Sequence, residues 1–271
     1  MLVIDGTYLV YKSYYRAKKI KEAYNITDED HYRKIARNMF LKSVAKLKNK
    51  YKPSSLFIVF DCEGTNFRDE LLPTYKSHRK NKPEDIFAVK SEIYHFLHIH
   101  NFAFQIAEGA EADDLIASFV HQNPTDKISI FTGDADMGAL VSDHVDLLLE
   151  KKKKIQRITI HNFHHFFPIP PSKMADFKAL QGDRSDFVKG VDGLFQNQVL
   201  HLLMEFHSVE EFFEKGQHHH LFDKISKEKE KVLINKQVTV MKKDCDITID
   251  KNHAKIHHIY IPEKLIKSIG W

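Results

Sequence analysis

The chain of 271 residues has only two cysteines, Cys62 and Cys245. So few rule out a disulfide framework, and a reducing cytoplasm is the simplest compartment to expect. No apolar run approaches the ~20 residues that a membrane span requires, so no membrane partner is expected. No secretory leader is visible, because Met1-Leu2-Val3-Ile4 already reads as a buried strand. Internal repeats and long low-complexity tracts are also missing. Charge of one sign is in small excess only: the net charge is +4, from 41 basic and 37 acidic residues. The overall charge therefore says little about a partner, and its distribution says more.

Hydrophobic residues make up 42% and charged residues 29% of the chain, as in soluble globular proteins. The length suits one large α/β domain or two small ones. Residues 1–5 and the run Leu56-Phe57-Ile58-Val59-Phe60 read as strands, as do residues 102–106, 128–132, 145–149 and 155–160. Helical spacing over residues 30–48, with Thr27 or Asp28 as a cap, and over 84–100 alternates with them. Such alternation favours a parallel or mostly parallel sheet. Residues 62–83, basic and interrupted by Pro73 and Pro83, read as a partly helical excursion. After residue 160 the pattern changes. Ser172 is expected to cap a helix that Gly182 ends, 199–212 resumes helical spacing, and 247–249 and 256–261 are short and strand-like. One continuous unit is expected, with an α/β core over 1–170 and a helical region over 171–271 packed on it.

Acidic residues recur where these strands end and helices begin. Asp5 and Asp61 each follow an apolar run, Asp134 and Asp136 follow Thr132-Gly133, and Glu111, Asp113 and Asp114 open a helical pattern. Asp183 and Asp186 stand three apart after Gly182. In an open α/β sheet the C-terminal strand edge is where ligands bind, so acids from distant segments would meet there. Two carboxylates ~4 Å apart repel by roughly 4 kcal/mol at an effective dielectric of about 20. Divalent cations relieve that repulsion, and hard oxygen ligands suit Mg²⁺ or Mn²⁺. Each motif has a plainer explanation alone, since an acid at a helix start complements the dipole, but three at one start exceed that need. The basic runs at 42–52, 76–82 and 151–157 around an acidic centre suit a protein that holds a polyanion.

The ordered set Asp5-Gly6, Phe60-Asp61, Phe67-Arg68, Tyr75-Lys76 with Arg79, Glu111-Ala112-Asp113-Asp114, Thr132-Gly133-Asp134-Ala135-Asp136 and Gly182-Asp183-Arg184-Ser185-Asp186 resembles the bacterial 5′-nuclease family. That family includes the 5′–3′ exonuclease domain of DNA polymerase I and flap endonucleases, and this chain resembles a stand-alone form. The resemblance covers nearly the whole chain, to about Asp250. It implies a PIN-like 5′-nuclease fold: a mostly parallel central sheet flanked by helices, a helical arch near 62–83, and a helical C-terminal DNA-binding region of helix-hairpin-helix type. It implies hydrolysis of DNA phosphodiester bonds at 5′ ends, flaps or nicks by a monomer with two divalent cations. Asp5, Asp61, Glu111, Asp113, Asp114 and Asp134 would gather around the first cation. Asp136, Asp183 and Asp186, helped by Asp134, would hold the second. Lys76 and Arg79 would act on the scissile phosphate. Lys12 and Arg68 would contact phosphate, Tyr75 would stack on a base, and Gly190 and Gly193 would belong to a hairpin gripping duplex DNA.

One stretch departs from the family pattern. The hairpin's usual Gly-Val-x-Gly-Ile-Gly-x-Lys-Thr reads Gly190-Val191-Asp192-Gly193-Leu194-Phe195-Gln196-Asn197-Gln198 here. Phe195 in place of glycine hinders close backbone approach and disfavours positive φ. This argues against the family's potassium site and for weaker duplex affinity. Two other readings remain open from sequence: a non-catalytic DNA-end binding protein, and a haloacid dehalogenase-type phosphatase. The second needs a nucleophilic Asp where this chain has Val3.

Overall fold

Alternation of side chains along two neighbouring strands sets the layers. Strand β1 (Leu2–Asp5) and strand β2 (Leu56–Phe60) are buried along their whole length. Leu2, Ile4, Leu56, Ile58 and Phe60 enter one core, whereas Val3, Phe57 and Val59 enter another. A period of two with both faces buried belongs to a parallel sheet covered on both sides. The structure, a computed structural model, describes residues 1–77, 82–249, 251–256 and 261.

With β3 (Phe104–Ile106), β4 (Ile128–Thr132), β5 (Val145–Lys151) and β6 (Lys154–Ile158), the sheet has the order β3-β2-β1-β4-β5-β6. All neighbours run parallel except β5 and β6, which pair antiparallel. Lys152 (φ 50°) and Lys153 (φ 64°) make the two-residue turn between them, and two positive φ values suit the twist of such a hairpin. The chain builds outward from β1 to β2 and β3, then returns to the other side of β1 with β4. That reversal opens a crevice at the strand ends.

Helices α1 (Gly6–Ala23) and α2 (Glu29–Tyr51) cover the first core. Asp28 caps α2 by accepting from the Asp30 and His31 amides. Residue spacing does not announce α1: its buried Leu9, Val10, Tyr14 and Ala17 are interleaved with basic residues that blur the apolar stripe. The short α3 (Phe67–Leu71) lies in the excursion, α4 (Ile86–Ile99) joins the first core, and α5 (Ala112–Gln122) covers the second.

A third core forms among α6 (Met174–Gln181), α7 (Gln196–Glu205), α8 (Val209–Lys215), α9 (Phe222–Ser226) and α10 (Lys229–Thr239). A short antiparallel ribbon, β7 (Gly182–Asp183) and β8 (Val188–Lys189), follows α6. The Asn235 side chain, 1% exposed, donates to the Ala179 and Lys189 carbonyls and ties α10 to α6 and to the ribbon.

Several local expectations are corrected. Ser172 does not cap α6. Residues Pro171–Lys173 form a 3₁₀ turn, and Lys173 takes the cap position without a side-chain bond. The helix expected over 199–212 breaks where Ser208 caps α8 through the Glu211 amide. Residues 247–249 form no strand, and Ile247 and Ile249 pack on the second core instead. Near the C-terminus Lys255 bridges to Ser55, while residues 257–260, Asp250 and Arg79 lie outside the described residues. Among the described residues, no helix is long and apolar enough to cross a membrane.

Candidate metal centre

Strands β2, β1 and β4 are adjacent and parallel, so the acids at their ends meet at one edge. Asp5 ends β1 and caps α1. Its Oδ1 accepts from the Tyr8 amide at 2.9 Å, and its Oδ2 accepts from the Thr132 hydroxyl at 2.7 Å, across to β4. Asp61 follows β2, and its Oδ1 accepts from the Ala112 amide at 2.8 Å, which joins β2 to the start of α5. Asp134 caps the 3₁₀ helix Ala135–Leu140 by accepting from the Asp136 amide at 2.8 Å. Close approach behind these acids depends on two glycines. A Cβ on Gly6 would lie 2.4 Å from the Phe60 ring, and one on Gly133 2.1 Å from the Tyr8 ring.

The charges are in conflict. Burial pushes the Asp5 carboxyl up to about 7, and neighbouring Asp61 and Asp134 add to the effect. Burial likewise holds Asp113 well above the usual carboxylate range, with Asp134, Asp5 and Glu111 contributing and Lys76 opposing. The Asp134 charge thus reaches both Asp5 and Asp113, and the Asp61 charge reaches Asp5. A hard divalent cation removes that conflict.

A second group adjoins the first. Asp136, Asp183 and Asp186 each offer a carboxylate oxygen, and these atoms lie within 4.8 Å of one another. Burial, then the Asp134 charge, raises Asp136 to about 6. Asp183 Oδ1 accepts from the amide and the hydroxyl of Ser185 at 2.8 and 2.6 Å. Lys76 stands between the groups. Its Nζ is 2.9 Å from both Glu111 carboxylate oxygens and 4.0 Å from Asp186. Its backbone has φ 46° and donates to the Asp186 carbonyl. Burial opposes the Lys76 charge, but Glu111 and Asp186 more than offset it and raise the pKa.

Residues 1–167 match the 5′-3′ exonuclease N-terminal resolvase-like domain, and residues 169–261 match the 5′-3′ exonuclease C-terminal SAM fold. The chain belongs to the 5′-3′ exonuclease family. It is 30% identical over 277 residues to the 5′-3′ exonuclease of Mycoplasmopsis pulmonis, covering 99% of this chain and 89% of that protein. Against DNA polymerase I of Caldicellulosiruptor bescii it is 27% identical over 220 residues, 79% of this chain but 25% of the relative. T5 5′-exonuclease with bound zinc ions shares the fold at TM-score 0.67 and 18% identity, covering 99% of this chain and 97% of that one. The catalytic core of Rad2 in complex with DNA substrate matches at TM-score 0.51 and 17% identity, covering 98% and 77%. The α/β fold with a mostly parallel sheet and a helical C-terminal region, read from alternating strand and helix patterns and implied by the resemblance, is the fold of this exonuclease.

Not every residue expected at the exonuclease's site stands there. Asp114 is not available as a ligand: it is fully buried, paired with Arg68 at both oxygens, and accepts the Glu111 and Lys242 amides. Although burial opposes its charge, Arg68 lowers its pKa. Arg68 in turn is not placed to contact phosphate, because it is 2% exposed and also donates to the Val238 and Val240 carbonyls. Tyr75, 4% exposed, offers no face for stacking, and its hydroxyl donates to Glu111 at 3.2 Å. Arg79 lies outside the described residues.

Lys12 is part-buried and pairs with Glu150, which also accepts the Tyr8 hydroxyl. Gly190 packs against the Gln181 backbone, 2.3 Å from where a Cβ would sit. Gly193 is exposed at φ 67°, and its carbonyl accepts from Lys224. Phe195 has φ −88° and caps α7, so its backbone never needed glycine, and its ring is 71% exposed.

Sequence reasoning missed Lys178. From α6 its Nζ bonds Asp136 and, at 2.6 Å, Asp183. Nothing in sequence separates it from the many solvated lysines, except that it stands five residues before Asp183 on a helix that delivers that acid.

Proposed function

We propose that this exonuclease hydrolyses phosphodiester bonds of DNA at 5′ ends, flaps or nicks, acting as a cytoplasmic monomer with two divalent cations, Mg²⁺ or Mn²⁺. The observation that carries this reading is the meeting of carboxylates from β1, β2, β4 and α5, coupled through Asp134 to the Asp136–Asp183–Asp186 group. The donors fit such ions: they are all carboxylate oxygens, Asp5 is buried and the others are half-buried, and seven acids face the two ammonium groups of Lys76 and Lys178. Asp5, Asp61, Asp113 and Asp134 would hold the first ion, without the Glu111 expected there, whose two oxygens both accept from Lys76; Asp136, Asp183 and Asp186 would hold the second. When bound, the pair supplies an activated water and neutralises charge for in-line phosphoryl displacement.

The protein's own groups do the rest. Glu111 orients Lys76, whose ammonium lies between the two groups, where it would offset charge on the scissile phosphate. Backbone amides from Tyr8, Ala112 and Asp136 fix the directions of Asp5, Asp61 and Asp134. A basic groove lined by Lys12, Arg16, Lys42 and Lys46 runs between α1 and α2. Its cations repeat at i, i+4 on each helix, leading away from Asp5 at the start of α1. Such a track suits the backbone of a DNA strand.

The test is a 5′-labelled flap duplex incubated with Mg²⁺, Mn²⁺ or EDTA. Metal-dependent release of short 5′-labelled products supports the reading. Binding without cleavage in either metal overturns it in favour of a DNA-end binding protein.

A further inference from the structure

We propose that Lys178 is a built-in counter-cation of the Asp136–Asp183–Asp186 group, and that a second divalent ion binds only by displacing its ammonium. The inference rests on the two-cation reading above. It concerns how unequal the two sites are, which that reading does not address.

The three carboxylate oxygens lie within 4.8 Å of one another, and one cation can sit among them. The Lys178 ammonium is already there, bonded to Asp136 and, at 2.6 Å, to Asp183. Its side chain is 16% exposed, so little water competes for the charge. A divalent ion such as Mg²⁺, coordinated at about 2.0–2.1 Å by these carboxylates, would claim the same volume. Two cations cannot share it, and the lysine must leave. The long flexible stem of lysine permits this.

The first group differs. Asp5, Asp61 and Asp134 accept from backbone amides and a hydroxyl, which orient the carboxylates without neutralising them. An ion entering there displaces no ammonium from these acids. Lys76 pairs with Glu111 at the rim instead. The two sites should therefore fill in order, the second at much higher metal concentration. Lys178 sets that gap.

The test uses Mn²⁺ alone with the full chain, without DNA, and reads stoichiometry and affinity by electron paramagnetic resonance of free Mn²⁺. Wild type should bind a first ion and a second at least ten-fold more weakly. Lys178→Met, neutral and of similar length, should tighten the second ion ten-fold or more and leave the first within about two-fold. Lys178→Arg, which keeps the charge, should behave as wild type. Lys178→Gln provides a second neutral variant should methionine impair folding, which circular dichroism reports. A second ion bound equally by wild type and both neutral variants overturns the role of Lys178 and leaves the two-cation reading intact. If no protein binds a second ion, both fall.

Discussion

Arg68 and Asp114 form a two-pronged ion pair, Nη1–Oδ2 2.6 Å and Nη2–Oδ1 2.7 Å, with both side chains almost wholly buried. The same guanidinium holds the carbonyls of Val238 and Val240. The pair therefore joins α3, α5 and the end of α10, and Arg68 Nη1 also comes within 3.8 Å of Glu111. It is a structural clamp within the same motif as Asp113, which we assign to the first cation site.

Breaking the clamp should cost stability. Removing one partner of a buried pair leaves an uncompensated charge, at about 3–5 kcal/mol. Asp114→Asn and Arg68→Ala should each lower the urea midpoint accordingly. The double variant Arg68→Met/Asp114→Leu should lose less than the sum of the two. Equal stability of wild type and Arg68→Ala would contradict the clamp.

Asp134 should behave oppositely. It lies between both acid groups and adds repulsion to Asp5, Asp113 and Asp136. Asp134→Asn should abolish cleavage, leave DNA affinity within about two-fold, and match or exceed wild-type stability in EDTA. Cleavage assays and thermal melts of the same preparation check this.

The contrast between Asp113 and Asp114 shows where sequence legibility ends. Asp5, Asp61 and Asp134 could be located because each follows an apolar run that must be a buried strand, and a parallel sheet aligns such ends. Asp113 and Asp114 are neighbours in the first turn of α5, and helix geometry sends them about 100° apart. Which one faces Asp5 and Asp134 depends on Arg68, delivered from the excursion, and no local pattern encodes that. Helix α1 is hidden in the sequence for a related reason. Its lysines, exposed or half-buried, interrupt the apolar stripe, while the aromatic and aliphatic residues between them carry the burial. Phe195 misled differently: the φ constraint inferred from its glycine counterpart does not exist in this backbone.

Lys76→Ala should slow cleavage more than it weakens binding. The ammonium is held by Glu111 between the acid groups, away from the α1–α2 groove residues that would carry most of the affinity. Single-turnover rates at saturating enzyme should fall at least about 100-fold, in the range expected for loss of a group that stabilises transition-state charge. Affinity should change less than about three-fold.

Metal and pH should be linked. Asp5 and Asp136, raised to about 7 and about 6, and Asp113, raised well above the usual carboxylate range, keep their protons to higher pH in the folded chain than in the unfolded one. Below the unfolded value of about 3.9 they carry no penalty, and the metal-free protein loses their contribution as pH rises from about 4 to 7. Asp114 and Asp183, whose burial is outweighed by Arg68 and Lys178, act in the opposite sense, but only as pH falls below about 4. In EDTA the melting temperature should therefore fall between pH 5 and 8. Millimolar Mg²⁺ should restore at least about 5 °C at pH 8 and much less at pH 5.

Phe195→Gly with Asn197→Lys should tighten binding to duplex DNA several-fold. Phe195 is an exposed cap residue and Asn197 is exposed two residues later. Glycine is well accepted at a helix cap, so folding should be unaffected. Fluorescence anisotropy across salt concentrations should show a steeper salt dependence by about one unit of slope, from one added phosphate contact.

Anomalous diffraction from crystals soaked in Mn²⁺ tests the central claim most directly. Two peaks are expected, one enclosed by Asp5, Asp61, Asp113 and Asp134, the other by Asp136, Asp183 and Asp186 with Lys178 swung aside. Well-ordered carboxylates with no peak among them would contradict the account.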